Sequence, residues 1–138
     1  MNPRLEESTT KVPGDESPFK GKTGLQRIWN AFTFSLHGLA SAFRHEEAFR
    51  QEVLVAAILI PIALFLDVGG LGRAMMIASV VLVLIVELLN SAIEAVVDRI
   101  SFDQHRLSKR AKDIGSAAVF LSLLNVAVVW GLVLVEKL

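Results

Sequence analysis

Ile114 to Val135 is a run of 22 residues without one charged side chain. A helix rises about 1.5 Å per residue, so a run of that length spans roughly 30 Å, the hydrocarbon thickness of a bilayer. Hydrocarbon offers no partners to backbone amides, which leaves helices and closed barrels as the only spanning structures. A second uncharged run, Ala74 to Val86, continues towards Val97, and a third covers Val53 to Leu66 and contains Pro61. The third is short and must borrow Ala48 and Phe49, or tilt little, to cross. None of them alternates polar with apolar residues as barrel strands do. With 53% hydrophobic residues in 138, the chain is too apolar for an ordinary soluble protein of its size. It is expected to be an all-α membrane protein of one domain, residues 24–138, with transmembrane helices at about 47–66, 73–98 and 113–135.

The basic residues orient these spans. Arg4, Lys11, Lys20, Lys22, Arg27, Arg44 and Arg50 precede the first, Arg73 stands alone in the first connection, and Arg99, Arg106, Lys109, Arg110 and Lys112 crowd the second. The positive-inside rule then puts the N-terminus and the second connection in the cytosol. The first apolar run starts too deep in the chain to be a cleaved secretory signal.

Several function classes drop out. The chain has no cysteine, which excludes thiolate metal sites and thiol nucleophiles. No basic block marks a nucleic-acid partner. Residues 1–23 scatter Pro3, Pro13, Pro18, Gly14 and Gly21 among charges and are expected to form a flexible cytosolic tail. Its Gly21-Lys22-Thr23 is no phosphate-binding loop, because the spacing from Gly14 is wrong and no strand precedes it.

From Leu25 the apolar residues Ile28, Trp29, Phe32, Leu36, Leu39 and Phe43 recur at helical spacing, opposite Arg27, Asn30, Thr33, His37, Ser41 and Arg44. This predicts an amphipathic surface helix over about 24–45, either a plain anchor or one that brings Arg27 to a phosphate. Next come His45, Glu46, Glu47, Arg50 and Glu52, just ahead of the first span. They form either a solvated helix start, where acidic residues suit the dipole, or a source of one carboxylate for an oxygen-only Mg²⁺ pair with Glu94.

The second span carries the unusual chemistry. Glu87, Asn90, Ser91, Glu94 and Asp98 are spaced i, i+3, i+4, i+7 and i+11, which places them on one helix stripe. Each carboxylate at a span's centre costs about 2.5 to 3.5 kcal/mol on an insertion scale, so a stripe of them needs a compensating task. A polar seam between helices is the plainer alternative, but seams are usually built from Ser and Asn and seldom from two Glu. Glu87 lies deepest, roughly 10 Å of rise beyond Glu94, a position suited to a general base acting on a lipid hydroxyl.

Three segments carry a resemblance: EAFRQE (Glu47 to Glu52), VELLNSAIEAVVDRI (Val86 to Ile100) and LSKRAKDIGSAAV (Leu107 to Val119). In this order, from about Gly24 onward, the chain resembles the bacterial diacylglycerol kinases, small integral-membrane lipid kinases. The resemblance implies an ATP-dependent, Mg²⁺-requiring homotrimer in the cytoplasmic (inner) membrane that converts diacylglycerol to phosphatidic acid. It implies Glu87 as general base with Asn90 arranging the site, and Glu46 and Glu94 as metal ligands. Arg27, Glu46, Glu94, His105, Lys112 and Asp113 become nucleotide contacts, while Arg27, Phe49, Arg50, Glu52, Glu87 and Ser116 lie towards the lipid. Asn30 and Leu36 depart from the family, which often has a basic residue and an aromatic there.

Other readings stay open. Taken alone, Lys112 serves topology, Asp113 caps the third span, and Ser116 is a small packing residue. A related branch of the family phosphorylates undecaprenol, and physics does not separate two lipid alcohols. Outside the enzymes, an acidic helical oligomer could conduct ions or protons through rings of Glu87 and Glu94, and an inactive homologue could bind lipid only.

Overall fold

The computed structural model describes residues 24–100 and 106–137. The expected tail over 1–23 and the expected nucleotide contact His105 lie outside them. The described residues form four helices and no strand: α1 (Gly24–His45), α2 (Glu47–Phe65), α3 (Gly70–Ile100) and α4 (Arg106–Glu136). Three of them, α2, α3 and α4, are long and apolar enough to cross a membrane. The protein is an all-α membrane protein.

The chain divides into two compact units, one ending at Leu36 and the other starting at His37. In the first, Leu25, Ile28, Trp29, Phe32 and Leu36 are all exposed, and the Trp29 and Phe32 rings lie 6.0 Å apart. Thr33 and Ser35 turn their hydroxyls back onto the carbonyls of Trp29 and Ala31, at 3.0 and 2.9 Å. These two hydroxyls are thereby satisfied within the helix. An apolar stripe with none of its residues buried suits a membrane interface.

In the second unit the last turns of α1 meet α2 at Glu46, whose extended backbone (φ −105°, ψ 113°) breaks the helix. The Glu46 N–H donates to Ala42 O at 2.8 Å. One residue holds this elbow: the Arg50 guanidinium donates to Phe43 O at 3.3 Å and to Arg44 O at 3.2 Å. Helix C-termini leave such carbonyls without intrahelical partners, and a cation there also complements the dipole.

α3 packs against both α2 and α4. At one end of this bundle Ala63, Val68 and Met76 form the buried cluster, with Leu66, Ile77, Val129, Trp130 and Val133 around it. Trp130 Nε1 donates to Met76 O at 3.3 Å, and Arg73 donates to Leu66 O at 3.2 Å across the short connection between α2 and α3. Gly72 lets Val133 approach, since a Cβ there would lie 3.1 Å from Val133 Cγ1. Lys137 closes this end on Asp67. Leu54, Ile58, Ile62, Phe65, Phe120 and Leu121 stay exposed, as lipid-facing residues should.

One expectation is corrected. α4 begins at Arg106, so Asp113 lies two turns inside the helix and does not cap it. Its carboxylate accepts from Lys109 at 2.7 Å, an i,i+4 pair on the helix surface. The uncharged run marks only the apolar part of the helix, because a charged cytosolic extension continues the same backbone.

Candidate active site

Towards the other end of the bundle the stripe on α3 turns inward. Glu87 is 4% exposed, and Asn90 and Ser91 are each 8% exposed. The pattern requires this: spacings of three and four residues hold them on the face that packs against neighbouring helices. Among the described residues Glu87 makes no ion pair, although the charges of Glu94 and Glu46 act on it, and its own charge acts on Glu52. Four carboxylates from α2, α3 and the elbow therefore share one electrostatic neighbourhood.

Each has a distinct setting. Glu94 is half-buried and accepts from Asn90 Nδ2 at 3.1 Å. Glu46 is the N-cap residue of α2, yet its side chain makes no capping hydrogen bond. Glu52 holds a buried Oε2 with no hydrogen-bond partner among the described residues, as does Asn90 Oδ1. Orphaned buried polar atoms are rare and costly, and their concentration marks a place built for something other than stability. Glu52 also borders an apolar cavity of about 260 Å³, lined by Gln51, Val55, Val83 and Leu123 among others.

The larger cavity, about 470 Å³, opens at the opposite end beside Asp67, Met75, Val133 and Lys137. Size favours it, chemistry does not. None of the residues lining it holds an orphaned buried atom, which makes the stripe the stronger candidate.

The other expected residues fall out as follows. Lys112 pairs with Asp98 at 2.6 Å across α3 and α4, at the same end as Glu94, whose charge it also feels. Asp113 is exposed and held by Lys109. Ser116 is exposed beside buried Gly115. Phe49 is 4% exposed and packed inside, and Arg50 grips the α1 carbonyls. Arg27 belongs to the first unit and is exposed there.

Two partners escaped the sequence reading of the site. Asp98 was visible at the end of the stripe, but nothing in one sequence pairs it with Lys112. Gly115 lies directly against the Asn90 side chain, and no periodicity announces that contact.

Comparison with known proteins shows the family. The family described as prokaryotic diacylglycerol kinase matches over residues 33–134. A diacylglycerol kinase of Pseudomonas aeruginosa is 59% identical over 118 residues, covering 86% of this chain and 96% of the relative. Those of Haemophilus influenzae and Escherichia coli K12 are 53% and 49% identical, covering 79% and 81% of this chain and 92% of each relative. The matched stretch holds the elbow, the stripe and the start of α4 together, and with it the chain belongs to the prokaryotic diacylglycerol kinase family of membrane enzymes.

Proposed function

We propose that the protein transfers the γ-phosphoryl group of ATP to the free hydroxyl of diacylglycerol, yielding phosphatidic acid and ADP at the cytosolic face of the bacterial inner membrane. The observation that carries this reading is Glu87, buried to 4% exposure beside three other carboxylates and held by no ion pair among the described residues. A carboxylate without a counter-cation keeps its oxygens available for a hydroxyl proton. The lipid oxygen forms its bond to the γ-phosphorus as the bond to the departing ADP oxygen breaks, and Glu87 takes the proton released.

The donor set suits Mg²⁺. The described residues contain no group of three or more His, Asp or Glu arranged to hold a metal. Mg²⁺ does not ask for one, since it commonly binds through one or two carboxylates plus water and substrate phosphates. Glu46, with no capping bond, and Glu94, oriented by Asn90, are the two oxygen donors assigned to it. When bound, the ion neutralises phosphate charge. Lys112 and Asp113 lie at the cytosolic entrance for the nucleotide, Arg27 adds a cation, and the apolar cavity ending at Glu52 suits an acyl chain. Lys and Arg placement supports a cytosolic N-terminus. We assign a homotrimer, a reading that the exposed apolar faces of the spans support.

The test is ATP turnover in detergent with short-chain diacylglycerol and Mg²⁺, with a polyprenyl alcohol in competition. Diacylglycerol-dependent turnover is expected, and Glu94→Gln should raise the Mg²⁺ requirement by roughly 10- to 100-fold, as loss of a metal partner does. Turnover that ignores diacylglycerol would sink the reading. Preference for the polyprenol would move the protein to the other branch.

A further inference from the structure

The structure assigns a positioning role to Gly115: by lacking a side chain it seats Asn90, and through Asn90 it fixes the carboxylate of Glu94. Three observations meet here. Asn90 is 8% exposed on α3, and its Nδ2 donates to Glu94 Oε1 at 3.1 Å. The other end of that amide, Oδ1, is buried without a partner among the described residues and lies against Gly115 of α4, which is itself buried. A Cβ built on Gly115 would overlap Asn90 Oδ1 and crowd Cγ at 3.3 Å.

The neighbour cannot give way cheaply. Asn90 is short, enclosed between two helices and already committed through Nδ2, so a methyl at position 115 has to rotate the amide off Glu94. The remaining glycines of the described helices do not share this setting. Gly38 and Gly131 would meet nothing within 4 Å, and Gly72 would meet only the apolar side chains of Val133 and Val68. Glycine in the interior of a long helix is ordinarily unfavourable relative to alanine. Its presence at Gly115 is explained by the amide it accommodates.

This inference rests on the metal role proposed for Glu94. The coupling runs from α4 to a metal ligand on α3 by way of one amide, which makes Gly115 a determinant of how Mg²⁺ is held and not a contact to it.

The experiment measures Mg²⁺ dependence of turnover and thermal unfolding for Gly115→Ala, Asn90→Ala, the double variant, and Gly131→Ala as a control on the same helix. Gly115→Ala is expected to raise the Mg²⁺ concentration for half-maximal activity by about 10- to 100-fold, the range for losing a group that orients a metal ligand. In the Asn90→Ala background the same methyl should add nothing further, and Gly131→Ala should match wild type. A normal Mg²⁺ response in Gly115→Ala, or an equal penalty with and without Asn90, overturns the inference. If Gly115→Ala fails to fold, folding of the double variant like Asn90→Ala upholds the clash with Asn90, and failure of both overturns it. Glu94→Gln separates the two claims: an unchanged Mg²⁺ response there removes the metal role itself, whereas a shift there without one in Gly115→Ala removes only the role of Gly115.

Discussion

The two ends of the α2–α4 bundle are built on opposite rules. Around Met76 the polar groups close the fold on itself: Trp130 and Ser79 donate to the Met76 carbonyl, Arg73 donates to Leu66 O, and Lys137 meets Asp67. Around Glu87 buried polar atoms are left without hydrogen-bond partners among the described residues, at Glu52 Oε2 and Asn90 Oδ1. Only Arg73 Nε breaks the pattern at the first end. One end satisfies its polar groups between helices, and the other leaves buried acceptors unsatisfied among the described residues.

The comparison is broken most directly by Glu87→Gln. Activity should fall by about 10²- to 10⁴-fold, the contribution of a positioned general base, while thermal unfolding in detergent stays level or moves upward. Stability tracks the loss only if the polar end is structural after all. Met76→Ala should do the reverse. Met76 is fully buried and lies eleven residues from Glu87, about 16 Å along the helix. Its truncation is expected to cost about 2–5 kcal/mol of stability and leave turnover per folded molecule near wild type, as unfolding curves and single-point assays would register.

A finer test uses two buried serines on the same helix. Ser79 Oγ donates to Met76 O at 2.8 Å, so Ser79→Ala should lower stability by about 1 kcal/mol. The Ser91 hydroxyl acts on the Glu87 carboxylate instead, so Ser91→Ala should lower activity while the same melt stays within about 1 kcal/mol of wild type.

The smallest effect concerns pH. The hydrogen bond and charge of Lys137 hold the Asp67 carboxyl below its ordinary value of 3.8. A lowered carboxylate adds stability above the unfolded-state value and loses it as pH falls through the folded one. Wild type should therefore exceed Asp67→Asn slightly at pH 7 and converge on it as acidification protonates the Asp67 carboxyl, below its ordinary value. A gap that widens on acidification would contradict the assignment.

What was legible beforehand follows the same division. The helices and the stripe are one-dimensional signals: uncharged runs report membrane thickness, and intervals of three and four report a shared face. The pairing of elements is not such a signal. The grip of Arg50 on α1 could not be foreseen, because a guanidinium seven residues past a carbonyl reaches it only when the chain turns at Glu46. Lys112 met Asp98, and Gly115 met Asn90, only when α4 folded back along α3. The start of α4 was drawn late because charge conceals a helix from a hydropathy argument without weakening it.

The elbow has a mechanical consequence. Arg50 is anchored within the first turn of α2 and clasps two carbonyls of α1, with Glu46 between them. A corner braced in this way has little slack: the two clasped carbonyls fix the direction in which the chain leaves α1, and with it where Glu46 stands. Severing the brace would leave both helices formed and the carboxylate adrift between them.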